Sequence, residues 1–300
     1  MLLKGNSWKT GIRDKSIITV DGGTLETESA TLQIGPGGLG EETEITMLID
    51  KGNFAFKSLV DLGLLSEYPR VIEFLPDGLK FEKPADLTVQ LENLDSPDLE
   101  LFVLHGSYDS EMERTIWKVL PTDDINVDVN GQCVDMKING FCFFTYIMAS
   151  RGKLPRILSH LNHSFNCHAM VLYRRKPPTS PDIDIFVVLY SEFVENPSEL
   201  TKMIHENGFR KGDTGAIKRV DTHRSLEMCL EFPGFPEKNV HKFKIDVSQF
   251  DKNGMVIDYF GGITQASPGK GKVVISEVRR NREELLWTLN IREVLILPYF

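Results

Sequence analysis

The sequence predicts an all-β protein made of two consecutive β-sandwich-like domains, with one short helix in the second. Three observations predict it. Short runs of alternating apolar and polar residues recur along the chain, turn residues separate them, and strands are nowhere followed by the long amphipathic stretches that a parallel α/β sheet needs. A length of 300 residues leaves room for two cores of ordinary size, and 41% hydrophobic with 26% charged residues is the composition of a folded globular chain.

The first domain is expected over residues 16–150. Thr31 to Ile34 alternates apolar and polar, Gly35-Pro-Gly-Gly-Leu-Gly40 breaks the run, and Glu44 to Ile49 resumes it. Further strand-like runs are Arg70 to Leu75, Ala85 to Leu91, Leu99 to His105, Thr115 to Val119, Gln132 to Ile138 and Gly140 to Met148. Ala149 to Phe165 reads as a linker. Its Leu154, Ile157, Leu158 and Leu161 are the expected inter-domain packing residues, because such a segment favours burial over free extension.

The second domain is expected over residues 166–295. It opens with Ala169 to Arg174 and Ile183 to Tyr190, on either side of a Pro-rich turn. A helix is predicted over Pro197 to Asn207: Asn196 is a good N-cap, Pro197 suits the first helical position, and Gly208 can end it. Strand patterns return at Ser225 to Glu231, His241 to Val247, Met255 to Tyr259 and Lys272 to Val278. In the closing run Leu285, Trp287, Leu289 and Ile291 fall on one face. Trp117 and Trp287 are both expected in the cores of their sandwiches.

Charge is unevenly spread. Residues 1–150 carry 12 Lys or Arg against 25 Asp or Glu, net −13, and residues 151–300 carry 22 against 18, net +4. An acidic first half argues against nucleic acid as a partner. Residues 1–7 lack the features of a signal peptide, and no apolar stretch is long enough to span a bilayer, so a cytoplasmic chain without membrane insertion is expected. Cys133, Cys142, Cys167 and Cys229 include no C-x-x-C pair, which suits free thiols in a reducing compartment.

Candidate chemistry is sparse, and no cofactor or metal is expected. Gly35, Gly37 and Gly40 satisfy the dinucleotide-binding spacing, but Glu41, Glu42 and Glu44 follow where a phosphate-binding helix would have to begin, so a turn between strands is the better account. His160, His163, Cys167 and His168 are residue types that zinc favours. Adjacent Cys167 and His168 would point to opposite faces of a strand, which also separates them as a nucleophile and base. The basic groups Arg174-Arg175-Lys176, Lys218-Arg219 and Arg279-Arg280 are read as solvated turn residues.

The order of features in residues 16–150 resembles the ZU-five domain. Gly22-Gly23 with Leu25, Leu32-Gln-Ile-Gly-Pro-Gly-Gly-Leu39, Glu44-Ile-Thr46, then Pro76, Gly78, Phe81, Pro84 and Trp117 carry the resemblance. Residues 166–295 resemble the UPA domain, through Leu172-Tyr-Arg174, Phe186 to Tyr190, and the closing hairpin Lys272 to Glu293 with Trp287. The pair occurs in function-to-find domains of inflammasome proteins, in Unc-five netrin receptors and in ankyrins. The resemblance implies a non-catalytic scaffold or regulator of death-domain or inflammasome-type signalling. Its partners would be other proteins, death-fold or dipeptidyl-peptidase-like regulators among them, and the two domains would pack on each other. An ankyrin-like cytoskeletal anchor is the alternative. In the family a death-fold domain usually follows the UPA part; the sequence ends at Phe300, which leaves a free-standing regulator and a fragment both open.

Several members of these families cut their own backbone at a His-Phe-Ser type motif. There a hydroxyl attacks the preceding carbonyl and a neighbouring base assists. Here Cys142 stands in place of the His, Phe143 keeps the Phe, and Phe144 stands in place of the Ser, so the motif is degenerate. Thr145 comes one residue late, on the opposite strand face, and would serve only in the second alternative, cleavage near Phe144-Thr145.

Overall fold

The computed structural model describes residues 12–51, 53–91, 98–121, 125–128, 132–175, 182–194, 202, 206, 208–231, 239–245, 255–264, 271–279 and 282–291. The chain divides into two compact units, residues 1–162 and 163–300.

The first unit contains strands β1 (Ile12–Ile18), β2 (Gly23–Glu26), β3 (Ala30–Ile34) and β4 (Thr43–Lys51), helix α1 (Asn53–Asp61), then β5 (Arg70–Leu75), β6 (Lys80–Gln90), β7 (Glu100–Asp109), β8 (Arg114–Val119), β9 (Ile125–Asp128), β10 (Cys133–Gly140), β11 (Phe143–Ala149) and helix α2 (Leu154–Leu161). A six-stranded sheet in the order β1-β4-β5-β11-β7-β8 faces a five-stranded sheet in the order β2-β3-β6-β10-β9. Every described pairing is antiparallel. Leu32, Leu87 and Val134 from one sheet meet Ile45, Ile72, Phe74 and Phe144 from the other in a single apolar core, which makes the unit a sandwich.

The expected linker is structured: residues 149–162 belong to the first unit, and residues 163–165 open the second. Pro155 sits at the start of α2, where a missing N–H costs nothing, and Ile157 and Leu161 are buried. They join Phe56 and Leu59 of α1, Trp117 of β8 and Phe143 and Ile147 of β11 in a second core, with Leu154 and Leu158 packed against it half-buried. All four residues singled out for inter-domain packing therefore cover the outer face of the first unit's own six-stranded sheet. Asn162 clamps the helix end: its Oδ1 accepts from Trp117 N at 2.7 Å and its Nδ2 donates to Trp117 O at 2.9 Å. Trp117 is buried, but beneath the helices and not between the sheets. Helix α1, which periodicity did not predict, stops at Gly63, whose φ of +68° an L side chain rarely adopts.

The second unit contains β12 (Ser164–Arg175), β13 (Asp182–Ser191), β14 (Arg210–Thr214), β15 (Lys218–Asp221), β16 (Ser225–Glu231), β17 (Asn239–Lys244), β18 (Met255–Thr264), β19 (Gly271–Arg279) and β20 (Arg282–Ile291). One sheet runs β14-β12-β13-β18, with β15 also paired to β12, and the other runs β17-β16-β19-β20. Phe165, Val171, Val187 and Leu189 pack against Leu226, Met228, Ile275 and Trp287 to form its core. The helix predicted over 197–207 lies almost wholly outside the described residues; both helices described in full belong to the first unit.

The closing strand departs from the simple alternation. Ile275 pairs with Trp287 but Ser276 pairs with Leu285, so Leu286 is the extra residue of a bulge. Leu286, Trp287, Leu289 and Ile291 face inward while Leu285 is 58% exposed. The inward set therefore includes Leu286 in place of the expected Leu285. Trp287 Nε1 donates to Ala216 O at 2.7 Å, and a Cβ on Gly215 would lie 2.3 Å from the indole, so only glycine allows the chain to cross there.

Candidate functional site

The Cys142-Phe143-Phe144 stretch leads into β11, the strand between β5 and β7. Alternation along it sends Phe144 inward, into the core between the sheets, and Phe143 outward under the helices. Both are buried. Phe144 packs edge-on to Phe74, with ring centroids 6.2 Å apart, and lines a void of about 10 Å³, no larger than one water needs. Thr145 faces away from Phe144, as strand geometry predicts, and its Oγ1 donates to Arg70 O at 2.6 Å. That hydroxyl is committed to a carbonyl acceptor on β5.

Cys142 is buried beside Phe141 in the same core. Burial, with the Asp77 carboxylate second, pushes its thiol up to about 12, so it is neither a thiolate nor a proton acceptor at neutral pH. The side chain with base chemistry at this place is one that motif reasoning missed. His105 on β7 is the cross-strand partner of Phe144, with ring centroids 5.5 Å apart. Burial, and then the nearby Lys118 ammonium, hold His105 below its ordinary range, which keeps the imidazole neutral and able to accept a proton. Facing it is a phenyl ring, which has no proton to give. His105 is distant in sequence, so strand register alone identifies it.

The remaining candidates are dispersed. Residues 35–42 form the turn between β3 and β4; Gly37 N donates to Val20 O at 2.8 Å, Leu39 is buried, and no helix follows. His160 is buried on α2 in the first unit, whereas His163, Cys167 and His168 belong to the second. Cys167 points into the sandwich core and burial raises its thiol strongly, while His168 stacks on Tyr190 on the opposite face. Among the described residues no three His, Cys, Asp or Glu side chains are grouped to hold a metal. Arg174 lies over the Phe209 ring at 4.4 Å, Arg219 Nε donates to Ser164 Oγ at 2.6 Å, and Lys218 is exposed. Lys176 and Arg280 lie outside the described residues, as do the side chains of Arg175 and Arg279.

The second unit holds a part-buried ionic cluster, centred on buried Glu277, that the sequence did not announce. Glu277 on β19 is 3% exposed and takes Arg224 Nη1 at 3.2 Å, while Arg224 Nε also meets Asp221 Oδ2 at 3.3 Å. Asp221 N donates to the other Glu277 oxygen at 3.3 Å. The cluster ties the β15–β16 turn to β19. No family model matches the chain, and a search of curated proteins finds no relative. No described helix is long and apolar enough to cross a membrane.

Proposed function

We propose that this chain is a non-catalytic protein-interaction module of the ZU-five plus UPA kind, acting as a scaffold or regulator in death-domain or inflammasome-type signalling, in the cytoplasm. One observation carries the non-catalytic part. The position where related self-cleaving proteins hold a hydroxyl is a buried phenyl ring facing a neutral imidazole, so the base has no nucleophile to activate. The flanking hydroxyl of Thr145 points to the other face and donates to Arg70 O. Two consecutive antiparallel sandwiches are what the ZU-five and UPA resemblance calls for, although sandwiches serve many functions and the architecture alone selects none.

Intact-mass measurement tests the chemistry. Purified protein incubated for days at neutral pH is expected to remain one chain of 34.0 kDa. Two stoichiometric fragments meeting near residues 143–145 would instead assign it to the self-cleaving members. Affinity capture from cells with partner identification tests the signalling role: death-fold or peptidase-like partners support it, and recovery of spectrin-like repeats alone replaces it with the cytoskeletal anchor.

A further inference from the structure

We propose that the outer face of the β17-β16-β19-β20 sheet binds a lysine side chain presented by a partner polypeptide, in a groove floored by the Ser276 hydroxyl between the Glu227 and Glu283 carboxylates. The groove has a volume of about 410 Å³, and Glu227, Val274, Ser276, Glu283 and Leu285 are among its lining residues. Alternation along β19 turns Ile275 into the sandwich core and Ser276 to the other side. Ser276 is 3% exposed, and among the described residues its hydroxyl has no hydrogen-bond partner. A hydroxyl buried to this degree is normally hydrogen-bonded, and this one opens on a space large enough to bring it a partner.

Strand register gathers further acceptors around it. Glu227, Ser276 and Leu285 are direct cross-strand partners on three neighbouring strands, and Glu283 comes two residues before Leu285, on the same face of β20. Opposite neighbours lie about 5 Å apart and diagonal ones about 7–8 Å, so one cation above Ser276 is within reach of both carboxylates. Charge is not balanced at this end. Lys242 Nζ is 2.5 Å from Glu227 Oε1, and its ammonium is held above its ordinary range by that hydrogen bond, by the Glu227 charge and, more weakly, by Glu283. One ammonium therefore serves two carboxylates. Lys272 is paired with Glu231 at 2.7 Å, and Lys244 on β17 is three strand spacings from Glu283, roughly 14 Å and beyond a Debye length of about 8 Å. No described lysine or arginine lines the groove itself. Lysine matches this arrangement: its ammonium has three N–H donors for the three acceptors, and its aliphatic stem can lie along Val274 and the exposed Leu285. That the lysine comes from a polypeptide rests on the interaction-module proposal; the chemistry of the groove does not.

Methyl resonances of Val274 and Leu285 in the full chain report occupancy. A short threonine peptide carrying one lysine is expected to shift both saturably. The same peptide with norleucine in place of lysine should bind more than about tenfold more weakly, the scale of losing hydrogen bonds to a charged group. Glu283→Gln, at an exposed position, should weaken the lysine peptide about threefold at low salt, and Ser276→Ala about fivefold; if one variant fails to fold, the other decides. Spermidine should bind no more tightly than the peptide, and a clear preference for it replaces the partner polypeptide with a free polyamine. Absence of a saturable shift, equal binding of the two peptides, or unchanged affinity in a folded variant overturns the proposal. Such a failure leaves the interaction-module proposal standing, because affinity capture does not depend on these methyl groups.

Discussion

The sheets that carry β11 and β16 bury their strands in different ways. In the first unit the six-stranded sheet is covered twice, by the facing sheet on one side and by α1 and α2 on the other. Along β11 only Tyr146 and Met148 escape full burial. In the second unit β16 alternates strictly: Leu226, Met228 and Leu230 point inward, while Glu227 and Glu231 reach Lys242 and Lys272 on the outer side. A strand with one wet face announces its orientation through polarity, and a strand covered on both faces does not. Any change at Phe144 is therefore a core change, whichever face it occupies.

The comparison can be broken most directly at its two extremes. Phe144→Ser removes a buried ring and leaves a hydroxyl in an apolar core, and should cost about 3–5 kcal/mol, whereas Leu285→Ser on the outer side of β20 should stay within about 0.5 kcal/mol. Denaturant midpoints of the two variants check it; equal losses would mean that β11 is not doubly covered.

The next largest effect separates buried from exposed ion pairs within the second unit. Arg224→Ala removes the guanidinium that engages Glu277 and Asp221 and should cost about 3 kcal/mol, the lower end for a broken buried pair because Arg224 itself is partly exposed. Lys242→Ala, across from Glu227 at the surface, should be close to silent. Thermal unfolding of both variants gives the ranking. Gly215→Ala sharpens the same map, since its new methyl would collide with Trp287 and should cost about 1–3 kcal/mol by overpacking.

The smallest effects are chemical. Cys133 and Cys229 are half-buried and should react with a thiol reagent in the native protein, whereas Cys142 and Cys167 should react only on unfolding. The thiol of Cys142 is held up to about 12, against 9.0 for a free thiol. Its contribution to stability is complete below about pH 9 and is lost as pH rises toward 12, because only the unfolded chain releases the proton in that window. His105 acts at the other end: its contribution is present above its ordinary 6.5 and fades as pH falls. Cys142→Ala should flatten the alkaline limb of a stability profile, and His105→Gln the acid limb.

Much of the fold was legible because most strands have one wet face. Arg70–Leu75 and Ser225–Glu231 have the predicted bounds, and the glycine-rich turn lies between β3 and β4 as expected. Strand alternation placed Thr145 on the face opposite Phe144, as the structure has it. By itself the sequence determined the all-β class and the succession of two sandwiches, because alternation and turn chemistry are local properties. Only the tertiary structure decided that residues 154–161 cover the first unit's own sheet, that Leu286 and not Leu285 turns inward, that His105 faces Phe144, and that Glu277 meets Arg224. Each of these depends on which distant strands pair and in what register, and a one-residue bulge or an added layer changes the answer without altering the local pattern.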